Sequence, residues 1–401
     1  MLQGKEILLG VTGGIAAYKS VLLLRELTKY GANVNVIMTK SATEFVGSLT
    51  FQTLSGNPVT TDIFTLFASS EIGHVSLASR ADLLVIAPAT ANIIGKIANG
   101  IADDFLTTMV MATRVPVLFA PAMNTNMWAS RVVQRNISDL KEMDYNFMEP
   151  AEGELACGVV GRGKLADIDA IMDEIKALLS PNDLQGEKIL ISAGPTEEAI
   201  DPARCLTNRS SGKMGYNLAA VARRRGAEVI LVAGPCAELE NWGIKVINCK
   251  TALEMADAID QNLDGVTSVI MAAAVADFRP AEQAAEKIKR NGNYCLELEP
   301  NPDILAGLGK RPDKPFLVGF AAETNKLFDH AQGKIKRKNL DMIVANDVTA
   351  PGAGFSVDTN IICIIDRDGQ MTDFPLMSKE NVAGVILDHM LKLKKKRRLL
   401  A

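Results

Sequence analysis

Short apolar runs recur along the chain, each closed by a glycine, proline or small polar turn and followed by apolar residues at helical spacing. Ile7–Val11, Val34–Met38, Leu83–Ala87 and Val115–Ala120 read as buried parallel strands. The first is followed by the turn Thr12-Gly13-Gly14 and an amphipathic helix to Tyr30, and Val34–Met38 completes a βαβ unit. A helical turn leads to Arg80, the turn Pro88–Asn92 closes the third strand, and helical stretches start near Ile93, Asp103 and Thr125. A helix over Ile168–Leu179 ends at Ser180-Pro181-Asn182-Asp183, the clearest break in the chain. The same grammar then restarts. Lys188–Ile191 opens a strand into Gly194, a helix runs through Arg225, and Glu228–Ala233, Val269–Ala274 and Phe316–Phe320 are strands. Asn360–Asp366 and Met371–Phe374, joined by Arg367-Asp368-Gly369-Gln370, read as a closing hairpin. The expected class is α/β with two Rossmann-like domains, residues 1–180 and 186–401, joined by a linker at 181–185.

In such sheets ligands sit beyond the carboxyl ends of the strands, so the loops there carry the candidate chemistry. Gly13 and Gly14 allow close backbone approach, and the helix opening near Ile15 offers free N–H groups to a phosphate. The spacing is not Gly-x-Gly-x-x-Gly, so a monophosphate such as that of FMN fits better than a dinucleotide, with Thr39 adding a hydroxyl. Pro121-Ala122-Met123-Asn124-Thr125-Asn126-Met127-Trp128 delivers an amide, thioethers and an indole to one strand end, suited to a flat aromatic ligand beside a carboxylate or amide. The same residues also read as a turn whose asparagines cap a helix. His74 lies upstream of a strand-end loop, where a capping or surface role is the alternative to a catalytic one. Cys157 sits in the glycine-rich stretch 151–167, either a flap thiol able to donate a proton or a small buried residue.

In the second half, Ser210-Ser211-Gly212-Lys213 before a helix supplies backbone donors, hydroxyls and a cation for a phosphate or carboxylate, without matching Gly-x-x-x-x-Gly-Lys-Ser/Thr. Lys287, Lys289, Lys334, Lys336 and Lys338 come from separate segments; together they would neutralise a triphosphate, with Asp277 opposite as a carrier for Mg²⁺. For the helix cations, a solvated face is the alternative.

Composition narrows the partners. Acidic residues outnumber basic ones, 47 to 43, so no overall field favours nucleic acid. The six cysteines form no Cys-x-x-Cys pair, which points to a reducing compartment rather than a disulfide framework or structural zinc. No run reaches the roughly 20 apolar residues of a membrane span, and the expected location is the cytosol. The basic run Lys392–Arg398 reads as a solvated helix end.

With these motifs in view, residues 1–180 resemble the FMN-dependent cysteine decarboxylases and the remainder resembles the phosphopantothenate-cysteine ligases. Their fused order resembles the bifunctional family of coenzyme A biosynthesis. The resemblance rests on residues 121–128, Ala156-Cys157-Gly158, Asn208 to Gly215 and Lys287-Ile288-Lys289. It implies a flavodoxin-like decarboxylase domain followed by a Rossmann-like ligase domain. His74 would be the catalytic histidine, Asn124 would bind the substrate carboxylate, and Cys157 would be the flap acid. Gly13, Gly14, Ile15, Ala16, Thr39, Thr90 and Ala91 would hold FMN. Asn208 would handle an acyl intermediate. Met271, Ala272, Ala273, Asp277, Lys287, Asn301, Pro302, Asp303, Ile304, Phe320, Lys334 and Lys338 would form a CTP site, with Asp277 toward Mg²⁺. The implied substrates are 4'-phosphopantothenate, cysteine and CTP, and the implied assemblies are trimer-based dodecamers of the decarboxylase half and dimers of the ligase half. Glu197 and Lys164 stand where the family often has Arg. A flavin-holding regulator is the alternative from a binding class, and a flavin prenyltransferase-like enzyme the alternative from another enzyme class. Joint presence of His74, Cys157 and a ligase half argues against the first, and Asn124 with Met127-Trp128 against the second.

Overall fold

A computed structural model describes residues 2–62, 73–154, 158, 160–236, 243–290, 292–323, 327–347, 352, 354 and 357–400. It divides into two compact units, Met1–Ser180 and Pro181–Ala401. Among the described residues no helix is long and apolar enough to cross a membrane.

In the first unit β1 (Glu6–Val11), β2 (Asn33–Met38), β3 (Leu83–Ala89), β4 (Val117–Pro121) and β5 (Asn146–Phe147) form a parallel sheet in the order β2-β1-β3-β4-β5. All of β3, Leu-Leu-Val-Ile-Ala-Pro-Ala, is buried, as a strand covered on both faces must be. The helices are α1 (Ala17–Lys29), α2 (Ser48–Ser55), α3 (Gly73–Arg80), α4 (Ala91–Ala98), α5 (Phe105–Ala112), α6 (Thr125–Trp128), α7 (Arg131–Glu142) and α8 (Ile168–Leu178). One face of the sheet packs on α1, α2 and α8 through Leu23, Leu27, Phe51, Ile171 and Ile175. The other packs on α4, α5 and α7 through Ile93, Ile97, Leu106, Met109 and Ile137. An antiparallel hairpin, β6 (Ala151–Glu154) and β7 (Val160–Lys164), precedes α8. The chain places β2 on one side of β1 and β3 on the other, so the order reverses between β1 and β3 and the following loops part to leave a crevice. Its floor is tied together by Thr12 Oγ1, which donates to the Pro88 carbonyl at 2.7 Å, and Ser20 Oγ, which donates to the Ala87 carbonyl at 2.6 Å.

The second unit contains β8 (Lys188–Ala193), the hairpin β9 (Glu197–Asp201) and β10 (Arg204–Thr207), β11 (Glu228–Ala233), β12 (Lys245–Asn248), β13 (Ser268–Met271), the ribbon β14 (Phe278–Pro280) and β15 (Leu298–Pro300), β16 (Phe316–Glu323), β17 (Met342–Asp347), β18 (Thr359–Asp366) and β19 (Met371–Ser378). Its main sheet runs β12-β11-β8-β13-β16-β17-β18-β19, parallel through β17 and antiparallel in the last two strands. Here the order reverses between β8 and β13. Of its helices, α9 (Lys213–Arg224) and α13 (Lys379–Leu400) cover one face through Leu218, Val221, Ala222, Ile386 and Leu387. α10 (Ala252–Asp260), α11 (Ile304–Gly309) and α12 (Leu327–Lys338) cover the other through Met255, Leu308 and Ile335.

Three sequence expectations change. The strand expected over Val269–Ala274 ends at Met271. Beyond it the Ala273 N–H turns to Ser192 Oγ at 3.1 Å and interrupts the ladder, which resumes as a single parallel bridge between Ala274 and Pro195 through the Ala274 N–H to the Gly194 carbonyl at 2.9 Å. The basic C-terminal run is not merely solvated, because Lys394 donates to Glu187 and, at 2.9 Å, to Ser268 Oγ, and Arg397 lies 3.4 Å from Asp341. The segment after Ser180 is also anchored. Leu184 is fully buried, and Asp183 receives two bonds from Arg225, at 2.8 and 2.7 Å.

Arg225 has a 5% exposed side chain and also pairs with Asp388 at 2.7 Å. Breaking a buried ion pair costs roughly 3–5 kcal/mol, less here because both carboxylates reach solvent. Arg225→Ala is expected to lower the unfolding free energy of the second unit by about 2 kcal/mol in urea denaturation and to leave the transition of the first unit in place.

Candidate functional site

Each crevice holds a cavity. That of the first unit has a volume of about 960 Å³, and every residue expected to hold FMN lines it: Gly13, Gly14, Ile15, Ala16, Thr39, Thr90 and Ala91, with Asn124 beside them. The loop after β1 lies close to the loop after β2: a Cβ on Gly13 would stand 2.3 Å from Ser41 Cβ, so only glycine fits there. Behind it α1 begins without a side-chain cap; its Ala17 and Lys19 N–H groups turn back to the Gly14 and Ala16 carbonyls at 2.9 and 3.0 Å, and the positive end of the helix favours an anion. Thr39 supplies a buried hydroxyl with no protein partner. Such an atom is costly to keep dry and unbonded, and a phosphate oxygen would satisfy it.

Asn124 does both things that its sequence context allowed. Its Oδ1 accepts from the Asn126 N–H at 2.8 Å, capping α6, and the residue lines the cavity. Met123 and Met127 line it as well, whereas Trp128 packs against the apolar cluster around Phe119 and Ile137. The indole expected beside a flat ligand is half-buried against that cluster and is not among the residues lining this cavity. β7 closes the cavity from above: the Met123 N–H donates to the Gly163 carbonyl at 2.9 Å, and Gly163 and Lys164 join the lining. Cys157 and the side chain of His74 lie outside the described residues.

Four cations in this lining, Lys19, Lys40, Lys96 and Lys164, had no role assigned from sequence. Lys19 follows the glycine turn by one helical turn, and burial, then the charge of Lys164, lowers its pKa. Lys96 donates to Asp103 at 2.7 Å and Asp104 at 3.3 Å, and the Asp103 hydrogen bond leads in raising its pKa. Lys164, the departure from the family pattern, reaches the cavity only because the hairpin folds over it.

The cavity of the second unit, about 660 Å³, straddles the carboxyl end of the sheet. Asn208, Met271, Ala272, Ala273, Asp277, Asn301, Pro302, Asp303, Ile304, Phe320, Lys334 and Lys338 all line it, so the residues expected around CTP are brought together with one exception. Lys287 is not in the lining. It is exposed on a loop whose neighbour Ile288 is fixed by its N–H to Asp201 at 3.1 Å and by its carbonyl to Arg204 at 3.2 Å. Asp303 accepts from the Ala306 N–H at 3.0 Å and from Lys338 at 2.9 Å; burial opposes its charge, but these bonds hold its carboxyl below the usual range. Asn208 sits at the reversal point and donates its amide to the carbonyls of Ala274 and Val275, both at 3.1 Å. Asn301 anchors the same loop through the Ala276 carbonyl at 2.9 Å. Glu197, the other departure, is in β9 and outside this lining. Among the described residues no group of three or more His, Cys, Asp or Glu forms a metal cage. The lining also contains Asn346, Asn360 and Lys379, which the sequence did not single out because β17, β18 and α13 bring them in from the far end of the chain.

Two family models match: "Flavoprotein" over residues 1–180 and "DNA/pantothenate metabolism flavoprotein C-terminal domain" over residues 184–393. The chain is 48% identical to the Coenzyme A biosynthesis bifunctional protein CoaBC of Bacillus subtilis (strain 168), covering 98% of each chain. It is 42% identical to the protein of that name from Escherichia coli (strain K12), over 96% of this chain and 97% of the other. A crystal structure of the C-terminal domain of a protein of that name is 44% identical, with a TM-score of 0.46, covering 53% of this chain and 99% of that one. With full-length relatives at this identity and both halves matched, the chain belongs to the family of bifunctional coenzyme A biosynthesis proteins.

Proposed function

We propose that this chain catalyses two consecutive steps: ligation of cysteine to 4'-phosphopantothenate at the expense of CTP, and FMN-dependent decarboxylation of the product to 4'-phosphopantetheine. The observation that carries this reading is the pairing of two cavities, each at a reversal of strand order, one gathering the expected FMN residues with Asn124 and the other the expected nucleotide residues around Asn208.

In the first cavity the positive end of α1 and the Thr39 hydroxyl would hold the phosphate of FMN, and Thr90 and Ala91 would border the remainder. Bound flavin supplies a reversible two-electron acceptor, which a cysteinyl carboxylate needs because its direct loss leaves a carbanion without an electron sink. Asn124 would orient that carboxylate, and Cys157 would return the proton, with His74 as base or orienter.

In the second cavity the task is activation, since an ionised carboxylate resists attack by an amine. Reaction with CTP gives an acyl-cytidylate and pyrophosphate; the cysteine amine then forms the amide and CMP leaves. Lys334 and Lys338 would stabilise charge on the phosphates. Asp277 would share a Mg²⁺ with the nucleotide, in keeping with that ion's habit of taking one or two carboxylates plus substrate phosphates. Asn208 donates both amide hydrogens to protein carbonyls, so what it offers the substrate is its carbonyl oxygen, an acceptor suited to the attacking amine. A cytosolic site of action fits the three substrates, which are small and charged.

The purified protein is expected to show a flavin absorbance spectrum and, given CTP, Mg²⁺, cysteine and phosphopantothenate, to release CO₂ and phosphopantetheine, with ATP a poorer substitute. A colourless protein that refuses added FMN would sink the decarboxylase half, and absence of amide formation the ligase half. Asn208→Asp should slow ligation about 100-fold, the scale of losing one well-placed polar group, and leave the flavin spectrum unchanged. Thr39→Val removes the unpartnered hydroxyl. It should raise the stability of the flavin-free protein by about 1 kcal/mol in thermal or urea unfolding while weakening FMN binding in a fluorescence titration.

A further inference from the structure

Of the four cations in the lining of the first cavity, Lys96 alone is in an ion pair among the described residues. The FMN phosphate is assigned above to the loops after β1 and β2. Lys96 comes instead from the helix after β3: it stands on α4, five residues and about 7.5 Å of helical rise beyond Ala91, which borders the rest of the cofactor.

Its Nζ donates to Asp103 at 2.7 Å and to Asp104 at 3.3 Å. These bonds fix the ammonium without cancelling its charge toward the cavity. Asp103 is 57% exposed and outside the lining, so water answers much of its charge. Asp104 lines the cavity, but it is the N-cap of α5, where its Oδ1 accepts from the Thr107 N–H at 2.8 Å and the positive helix end compensates it. The Asp103 hydrogen bond, acting against burial, raises the pKa of Lys96, so the group stays cationic through the neutral range. A charge already fixed at the wall of a cavity stabilises an opposite charge that develops inside it, with no cost of reorganisation.

The decarboxylation read above develops such a charge. The cysteinyl thiol gives up two electrons and two protons; both electrons and one proton pass to bound flavin, and the base takes the other proton. One negative charge is thereby added to the ring system inside the cavity, and a nearby cation is a lever on how readily that happens. We propose that Lys96, held in place by Asp103 and Asp104, stabilises flavin in its two-electron-reduced form and so sets the reduction potential of the first unit. This rests on the flavin reading of the cavity. Asp103 and Asp104 are positioning residues in this scheme, since they act through Lys96.

The test is a spectroelectrochemical titration of the flavin-loaded full-length protein, with FMN affinity measured separately for the oxidised and the dithionite-reduced cofactor. Lys96→Met should shift the reduction equilibrium about tenfold toward oxidised flavin, a potential lower by about 30 mV for a two-electron couple and the scale of one screened charge at this separation. By linkage, the same variant should weaken binding of reduced FMN about tenfold more than binding of oxidised FMN. Asp103→Asn removes a competing negative charge and should move the equilibrium about threefold the other way, raising the potential by about 15 mV. Both variants lose the same ion pair, so a purely structural role cannot give shifts of opposite sign. Shifts of one sign would mean that Lys96 only holds the segment 99–104 and would overturn the assignment, as would an equal loss of affinity in both oxidation states, the mark of a phosphate ligand. Should Lys96→Met fail to fold, Asp103→Asn at its exposed position decides alone, and an unchanged or lowered potential overturns the proposal. Wild-type protein that takes up no FMN removes the flavin reading and this inference together, whereas a yellow protein whose variants keep the wild-type potential removes this inference alone.

Discussion

The reversal of strand order beside a central strand is the constraint on which the rest of this molecule depends. Between β1 and β3, and again between β8 and β13, consecutive crossovers leave the sheet in opposite directions, and the loops at the carboxyl ends part. Parallel strands buried on both faces admit few polar side chains, so the chemistry is displaced to these ends. The hydroxyls that do enter are already bonded: Thr12 to Pro88, Ser20 to Ala87, Ser192 to Ala273. They lock the floors of the cavities and leave the loops above them to meet ligands.

Both cavities are cationic on a chain whose net charge is −4. The positive groups come from different elements, Lys19, Lys96 and Lys164 in the first and Lys213, Lys334, Lys338 and Lys379 in the second, next to helix starts whose N–H groups add to the field. This local arrangement is what permits phosphate-bearing ligands on an acidic protein. The bulk charge says nothing about the clefts.

Legibility followed locality. Gly13 to Ala16, Thr39, Thr90, Ala91 and Asn124 were readable because each lies at a strand end next to a glycine or proline turn. Lys287 was read from the same kind of signal and does not reach the cavity, because the pinning of Ile288 to Asp201 and Arg204 is a contact between distant segments. Trp128 was assigned to the ligand for its neighbours in sequence, yet at the end of a single helical turn it rests half-buried against the apolar cluster and outside the cavity lining. The tail of β13 was read as strand from its apolar letters; the bond from the Ala273 N–H to Ser192 interrupts the ladder there before it resumes at Ala274, and Ala272 and Ala273 line the cavity.

By itself the sequence determined the class of fold, the repetition of the βαβ grammar and the strand-end loops that carry the chemistry, since these follow from local periodicity and from glycine and proline stereochemistry. Only the tertiary structure decided which distant cations join each cleft. Lys379 is 166 positions beyond Lys213, and no local pattern marks it; the antiparallel turn-back of β18 and β19 sets α13 against α9 and brings the two ammonium groups into the lining of one cavity. Coulombic and steric complementarity act through space, whereas periodicity acts along the chain, and the two coincide only where neighbours in sequence are also neighbours in the fold.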